Sequence, residues 1–139
     1  MALVLSLQTA SDTGQPIIQK MPKELRVRFI VTPSGNYSTG GDTLDLTTLF
    51  ALAAGAPGAS IPSAALPSEV RIWSARPAAN PQTATYDYQF APGTTLKNGT
   101  MQVFTGAAAQ SGFAELAAAA YPAGVTGDTI NGEACFPIP

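Results

Sequence analysis

The sequence predicts an all-β fold: an antiparallel β-sandwich or jelly-roll-like barrel with one or two short helical turns. Three observations predict it. Apolar and polar residues alternate with period two along most of the chain, which is strand spacing. The alternating runs are bounded by Gly, Pro, Asn or Ser, residues that turn a chain. Asn98-Gly99 lies between two such runs, and Asn-Gly is the strongest short hairpin signal because both residues tolerate positive φ.

Taken in order, Leu3, Leu5 and Leu7 alternate with Val4, Ser6 and Gln8 and predict a first strand. This start lacks the basic residues that open a signal peptide. Residues 9–22 are polar and contain Pro and Gly, which predicts a long loop. Leu25, Val27, Phe29 and Val31 alternate with Arg26, Arg28 and Ile30. Pro33-Ser34-Gly35-Asn36 then reads as a turn. Thr47 to Ala54 predicts a short helix, capped by Asp45 or Thr47 and ended by Gly55. The Ala/Pro/Gly-rich stretch 55–67 predicts an extended loop, and 74–84 a third one. Val70 and Ile72 alternate with Arg71 and Trp73, and Tyr86, Tyr88 and Phe90 with Asp87 and Gln89. Ala91-Pro92-Gly93 is a turn, and residues 94–97 are expected to pair with 100–104 across Asn98-Gly99. Residues 113–120 read either as a helical turn or as an irregular edge strand. Ile130, Ala134, Phe136 and Ile138 share the last strand's inner face, with Gly132 between them. At 139 residues, without an internal repeat, the chain is expected to be a single domain, 1–139.

Composition narrows the function. Apolar residues make up 45% of the chain, enough for a core, while charged residues are only 12%, about half the usual ~25%. Interface cores are depleted of charge, so this deficit points to a surface partly buried against a partner. The net charge is −2 and the basic residues are scattered. Nucleic-acid binding needs clustered Lys and Arg, so no nucleic-acid partner is expected. No run is long and apolar enough for a membrane helix, so no membrane partner is expected.

The chain has no His, which removes the commonest general base and most zinc sites. Its single Cys, Cys135, sits in an apolar run and reads as a buried or rim thiol. Asp42 and Asp45 lie beside a Gly-Gly turn and read as turn and cap residues; the calcium-loop spacing is missing. No paired carboxylates mark a glycosidase. The sequence therefore predicts no enzyme, no cofactor and no metal. Trp73, Tyr37, Tyr86 and Tyr88 read first as core, with an aromatic sugar platform as the alternative.

One pattern goes further. Phe29-Ile30-Val31-Thr32 is followed by Ser34-Gly35-Asn36-Tyr37-Ser38-Thr39-Gly40-Gly41-Asp42-Thr43-Leu44-Asp45-Leu46-Thr47. With Phe50, Ser68 to Ile72, Tyr86 to Phe90, Ala114 to Asp128 and Ile130 to Ile138, this resembles tailed-phage capsid decoration (cement) proteins, whose segments read Gly-Gly-Asp-x-Leu-Asp-Leu. The resemblance runs from about residue 25 to the end; the stretches 51–67 and 74–84 are longer than the pattern.

The resemblance implies a virion structural protein, made in the host cytoplasm, on the outer surface of the capsid. It would cement neighbouring capsid subunits against internal pressure, with the major capsid protein and further copies of itself, as a homotrimer, for partners. Shell or subunit contacts are expected from the first strand and its loop (Leu5, Leu7, Gln8, Thr9), the Pro-rich loop (Ile61, Pro62, Leu66), and Arg71, Trp73 and Arg76, since Arg and Trp are enriched at interface hot spots. A carbohydrate-binding β-sandwich module and a tail-associated virion protein are the alternative readings.

Overall fold

The computed structural model describes residues 2–12, 14, 17–49, 66–75, 86–106 and 113–137. They form an all-β sandwich of antiparallel sheets that do not close into a barrel. The strands are β1 (Ala2–Leu7), β2 (Ile18–Met21), β3 (Glu24–Ser34), β4 (Asn36–Tyr37), β5 (Asp42–Leu44), β6 (Glu69–Ser74), β7 (Tyr86–Ala91), β8 (Gly99–Gly106), β9 (Phe113–Glu115), β10 (Ala119–Ala120) and β11 (Ile130–Pro137). One four-residue helix, α1 (Ala123–Thr126), precedes β11.

The larger sheet runs β1-β3-β11-β6, with β2 sharing the β1 edge of β3. The facing sheet runs β5-β8-β7, with β9 sharing the β5 edge of β8. Each sheet is thus built on one long strand whose edge is covered by two short strands in succession. A two-strand ribbon, β4 with β10, completes the set.

The alternation of β3 fills one side of the core. Leu25, Val27, Phe29 and Val31 are buried, while Arg26, Arg28, Ile30 and Thr32 point outward. Burying each such apolar side chain stabilises the fold by roughly 1.5–3 kcal/mol. Ile130, Ala134 and Phe136 of β11, and Ile72 of β6, extend this floor; Leu44, Tyr88, Met101 and Val103 face it from the second sheet. Gly132 stands opposite Phe29 in the register. A Cβ there would come within 2.3 Å of the Phe29 ring, so the missing side chain makes room for the largest inward group of β3.

Three expectations are corrected. The predicted loop 9–22 contains β2, which places only Ile18 partly inward and so carries no alternation. Pro33 and Ser34 belong to β3, and the turn is reduced to Gly35 with φ 75°. The partner of β8 is 86–91, not 94–97: Phe90 pairs with Met101 and Ala91 with Thr100. Asn98 instead folds the connecting loop, its Oδ1 accepting from the Thr95 amide at 2.8 Å and its Nδ2 donating to Thr94 Oγ1 at 3.0 Å. The helix α1 was not foreshadowed by the sequence; Val125, its one buried residue, fixes it to the core.

Residues 113–120 resolve to the strands β9 and β10. Residues 47–49 are helical, and Asp45 Oδ1 accepts from the Thr47 amide at 2.9 Å, so Asp45 is the cap. The expected helix end at Gly55 lies outside the described residues, as do nearly all of 55–67 and 74–84.

Candidate functional site

Two sets of polar side chains stand out, one inside the fold and one outside. Inside, three carboxylates are each engaged by a tyrosine. Asp42 is fully buried; its Oδ2 accepts from Tyr121 Oη and its Oδ1 from the Ser38 amide at 3.1 Å. Glu115 Oε1 accepts from Tyr37 Oη at 2.6 Å and from the Gly40 amide at 2.5 Å. Asp128 accepts from Tyr88 Oη at 2.8 Å and from Ser74 Oγ at 2.8 Å. Tyr37 and Tyr121 meet edge to face, their ring centres 5.6 Å apart. Burial, reinforced by the neighbouring carboxylate, pushes the Tyr37 hydroxyl up to about 12 and raises that of Tyr121 as well.

This explains the Gly-Gly-Asp-x-Leu-Asp-Leu segment. Gly40 and Gly41 take φ of 95° and 97°, and the Gly41 amide donates to Ser38 O at 3.0 Å, closing a tight turn. The turn drives Asp42 inward, Leu44 and Leu46 follow into the core, and Asp45 caps the next turn. Both Asp42 oxygens are occupied by protein donors, so the segment builds framework. Among the described residues no cluster of His, Cys, Asp and Glu forms a metal-binding set.

Outside, the larger sheet gathers many of the chain's few charges on one face. The register aligns Arg28, Glu133 and Arg71 in one row across β3, β11 and β6. Arg26, Cys135 and Glu69 form the adjacent row; Ile30, Asn131 and Trp73 form the row on the other side. Arg28 Nε lies 3.2 Å from Glu133 Oε2, Arg26 Nη1 4.0 Å from Glu133 Oε1, Arg26 Nε 3.1 Å from Glu24 Oε1, and Arg71 Nε 2.7 Å from Glu69 Oε1. Three arginines and three glutamates thus leave the face close to neutral. Cys135 is buried beneath it, and burial, with a hydrogen bond to Glu24, pushes its thiol up to about 12. A thiol so placed is a poor nucleophile.

At the β6 side of this face lies an open groove of about 750 Å³. It follows the seam where β6 and β7 run side by side with no ladder between them. Val70, Ile72, Tyr88 and Phe90 line it from within, and Arg28, Glu133, Arg71, Trp73 and Gln89 from without.

Of the expected contact residues, Arg71 and Trp73 are both exposed and line this one groove. Thr9 and Leu66 are exposed, and Gln8 is partly buried. Leu5 is a core residue and so serves the interior, while Leu7 is partly buried and packs against the core. The alternation fixed their common side but not which side was inward. Ile61, Pro62 and Arg76 lie outside the described residues. The four-aromatic platform does not form: Tyr37 and Tyr88 are buried, and only Trp73 among the four is exposed. Arg28 reads from the sequence only as an outward residue of its strand and Glu133 carries no local site signal; the strand register brings both beside Arg71.

No protein-family model matches the chain, and neither the curated proteins nor the solved structures include a match. Among the described residues no helix is long and apolar enough to cross a membrane.

Proposed function

We propose that the chain is a virion structural protein that binds the outside of a tailed-phage head and cements neighbouring capsid subunits. The observation that supports this reading best is the use made of the Gly-Gly-Asp-x-Leu-Asp-Leu segment. Gly40, Gly41, Asp42, Leu44, Asp45 and Leu46 all hold the framework, as expected of a scaffold's signature and not of a reaction centre. The near-neutral, ion-paired sheet face is a second support, since it can approach another protein without net repulsion.

In this role the work is mechanical. Bridging two capsid subunits adds buried area between them, and about 1,600 Å² is an ordinary contact. A homotrimer holds several sites at once and multiplies a modest affinity. The major capsid protein is the partner, the outer capsid surface is the location, and no catalytic step is involved.

The test is addition of the purified chain to expanded, undecorated heads. Saturable co-sedimentation and a higher temperature of head rupture are expected. A monomer without affinity for heads or procapsids would overturn the proposal. Cryo-electron microscopy of the particle separates the tail-associated reading, because head decoration requires density on the icosahedral shell.

A further inference from the structure

We infer that the β6–β7 groove is a carbohydrate-binding site for a neutral, hydroxyl-rich sugar ring. A pyranose offers two surfaces: an apolar face of C–H groups and a rim of hydroxyls that donate and accept. Binding it takes one accessible aromatic face with planar polar side chains beside it. Trp73 is 38% exposed at the groove and brings to it an indole ring, whose electron-rich face C–H groups prefer. It follows Arg71 by two positions on the same side of β6, roughly 7 Å along the strand. The row Arg28–Glu133–Arg71 therefore lies alongside it, and Gln89 faces the row from β7.

That row alternates donor, acceptor, donor. Each guanidinium carries five N–H groups, and Nε is the one drawn into the ion pair, with Glu133 for Arg28 and Glu69 for Arg71. The same pairing selects the ligand. Both arginines already face a carboxylate, and Glu133 stands between them, so an anionic ligand meets a neutralised site with a repelling centre. A neutral polyol meets only hydrogen-bonding groups. The volume of about 750 Å³ falls within the ~300–1,000 Å³ typical of small-ligand sites. Because the groove is open, it suits a stretch of oligosaccharide. This function does not rest on the head role, and a sugar on the row Arg28–Glu133–Arg71 would compete with a capsid subunit docked on the same face.

The test is a glycan array of neutral and acidic oligosaccharides probed with the full chain. Binding to neutral hexopyranose glycans is expected. Trp73 is the chain's single tryptophan, so titration with the bound oligosaccharide should give a saturable change in its fluorescence. By calorimetry, Trp73→Ala should lose about tenfold or more in affinity, with Trp73→Phe recovering part of it. Glu133→Gln and Arg71→Ala should each weaken binding severalfold. Unchanged far-ultraviolet spectra and melting temperatures would show that these variants fold. Absence of array binding, selectivity for anionic glycans or an acidic peptide, or binding that survives Trp73→Ala would each overturn the assignment.

Discussion

Tyr121 donates its phenolic hydrogen to Asp42 across 79 residues of sequence, tying the segment after β10 to the start of β5. Asp42 has no exposed surface, so neither group can turn to water if the other is lost. Leaving a buried polar group unsatisfied costs about 1–3 kcal/mol, more for a charged one. Tyr121→Phe should therefore lower stability by about 1–3 kcal/mol. Asp42→Ala, which strands both Tyr121 Oη and the Ser38 amide, should cost more. Urea unfolding midpoints check the order; equal losses would mean that the Ser38 bond contributes nothing.

The two glycines before Asp42 should respond differently to the same change. Both hold positive φ, where a Cβ costs about 1–2 kcal/mol. At Gly40 nothing lies within 4 Å of the added carbon, so Gly40→Ala should cost only that. At Gly41 it would lie 2.9 Å from Met101 O and from Thr100 Cβ, so Gly41→Ala should cost about 1–3 kcal/mol more. Thermal melts of the two variants separate strain from crowding.

Alkali should unfold the chain through its tyrosines. The Tyr37 hydroxyl ionises near 10 when unfolded and at about 12 when folded, and that of Tyr121 is raised as well. A raised value favours the protonated form in the fold. This contribution is complete below pH 10 and is lost as pH rises through the folded value. Between pH 10 and 12 stability should fall by about 1.4 kcal/mol per pH unit for Tyr37, and the raised Tyr121 steepens the fall. Tyr37→Phe should flatten the slope; denaturant titrations at stepped pH, with tyrosinate absorbance at 295 nm, measure it.

Cys135 should report on opening of the larger sheet. Buried, with its thiol pushed up to about 12, it carries almost no thiolate at pH 8. Iodoacetamide should label it quickly in denaturant and slowly in buffer, at a rate that rises with destabilising variants such as Asp42→Ala. Rapid labelling of the folded chain would place the thiol at an accessible edge.

Much of this architecture is legible in the sequence wherever a strand has one wet and one dry face. β3, β6, β7, β8 and the first half of β11 show that pattern, since burial alternates along them. β2, β4 and β10 do not, because strands of two to four residues with a mostly exposed face have no alternation to display. Asn98-Gly99 misled for a chemical reason: the Asn98 amide is used up in holding Thr94 and Thr95, and Gly99 is needed where the Phe90 ring would lie 2.6 Å from a Cβ. In the groove, Arg71 and Trp73 were visible as outward residues of one strand. Arg28 and Glu133, 105 residues apart, become neighbours only through the β3–β11 register, which no local pattern encodes.

The edge of β3 carries one more consequence. Between β1 and β2 the Ile17 amide donates to Gln8 O at 2.8 Å, while Gln8 and Ile17 are each also bonded to Arg28. The chain thus leaves the sheet and returns to it through a pinned neck. Foreign sequence grafted after Ser11, an exposed position, would hang from that neck without shifting the register on either side. Its entropic penalty would grow only logarithmically, about 0.6 kcal/mol per doubling of length. The protein is in this sense already a carrier, with a port through which a peptide tag, an epitope or a small binding domain can be displayed.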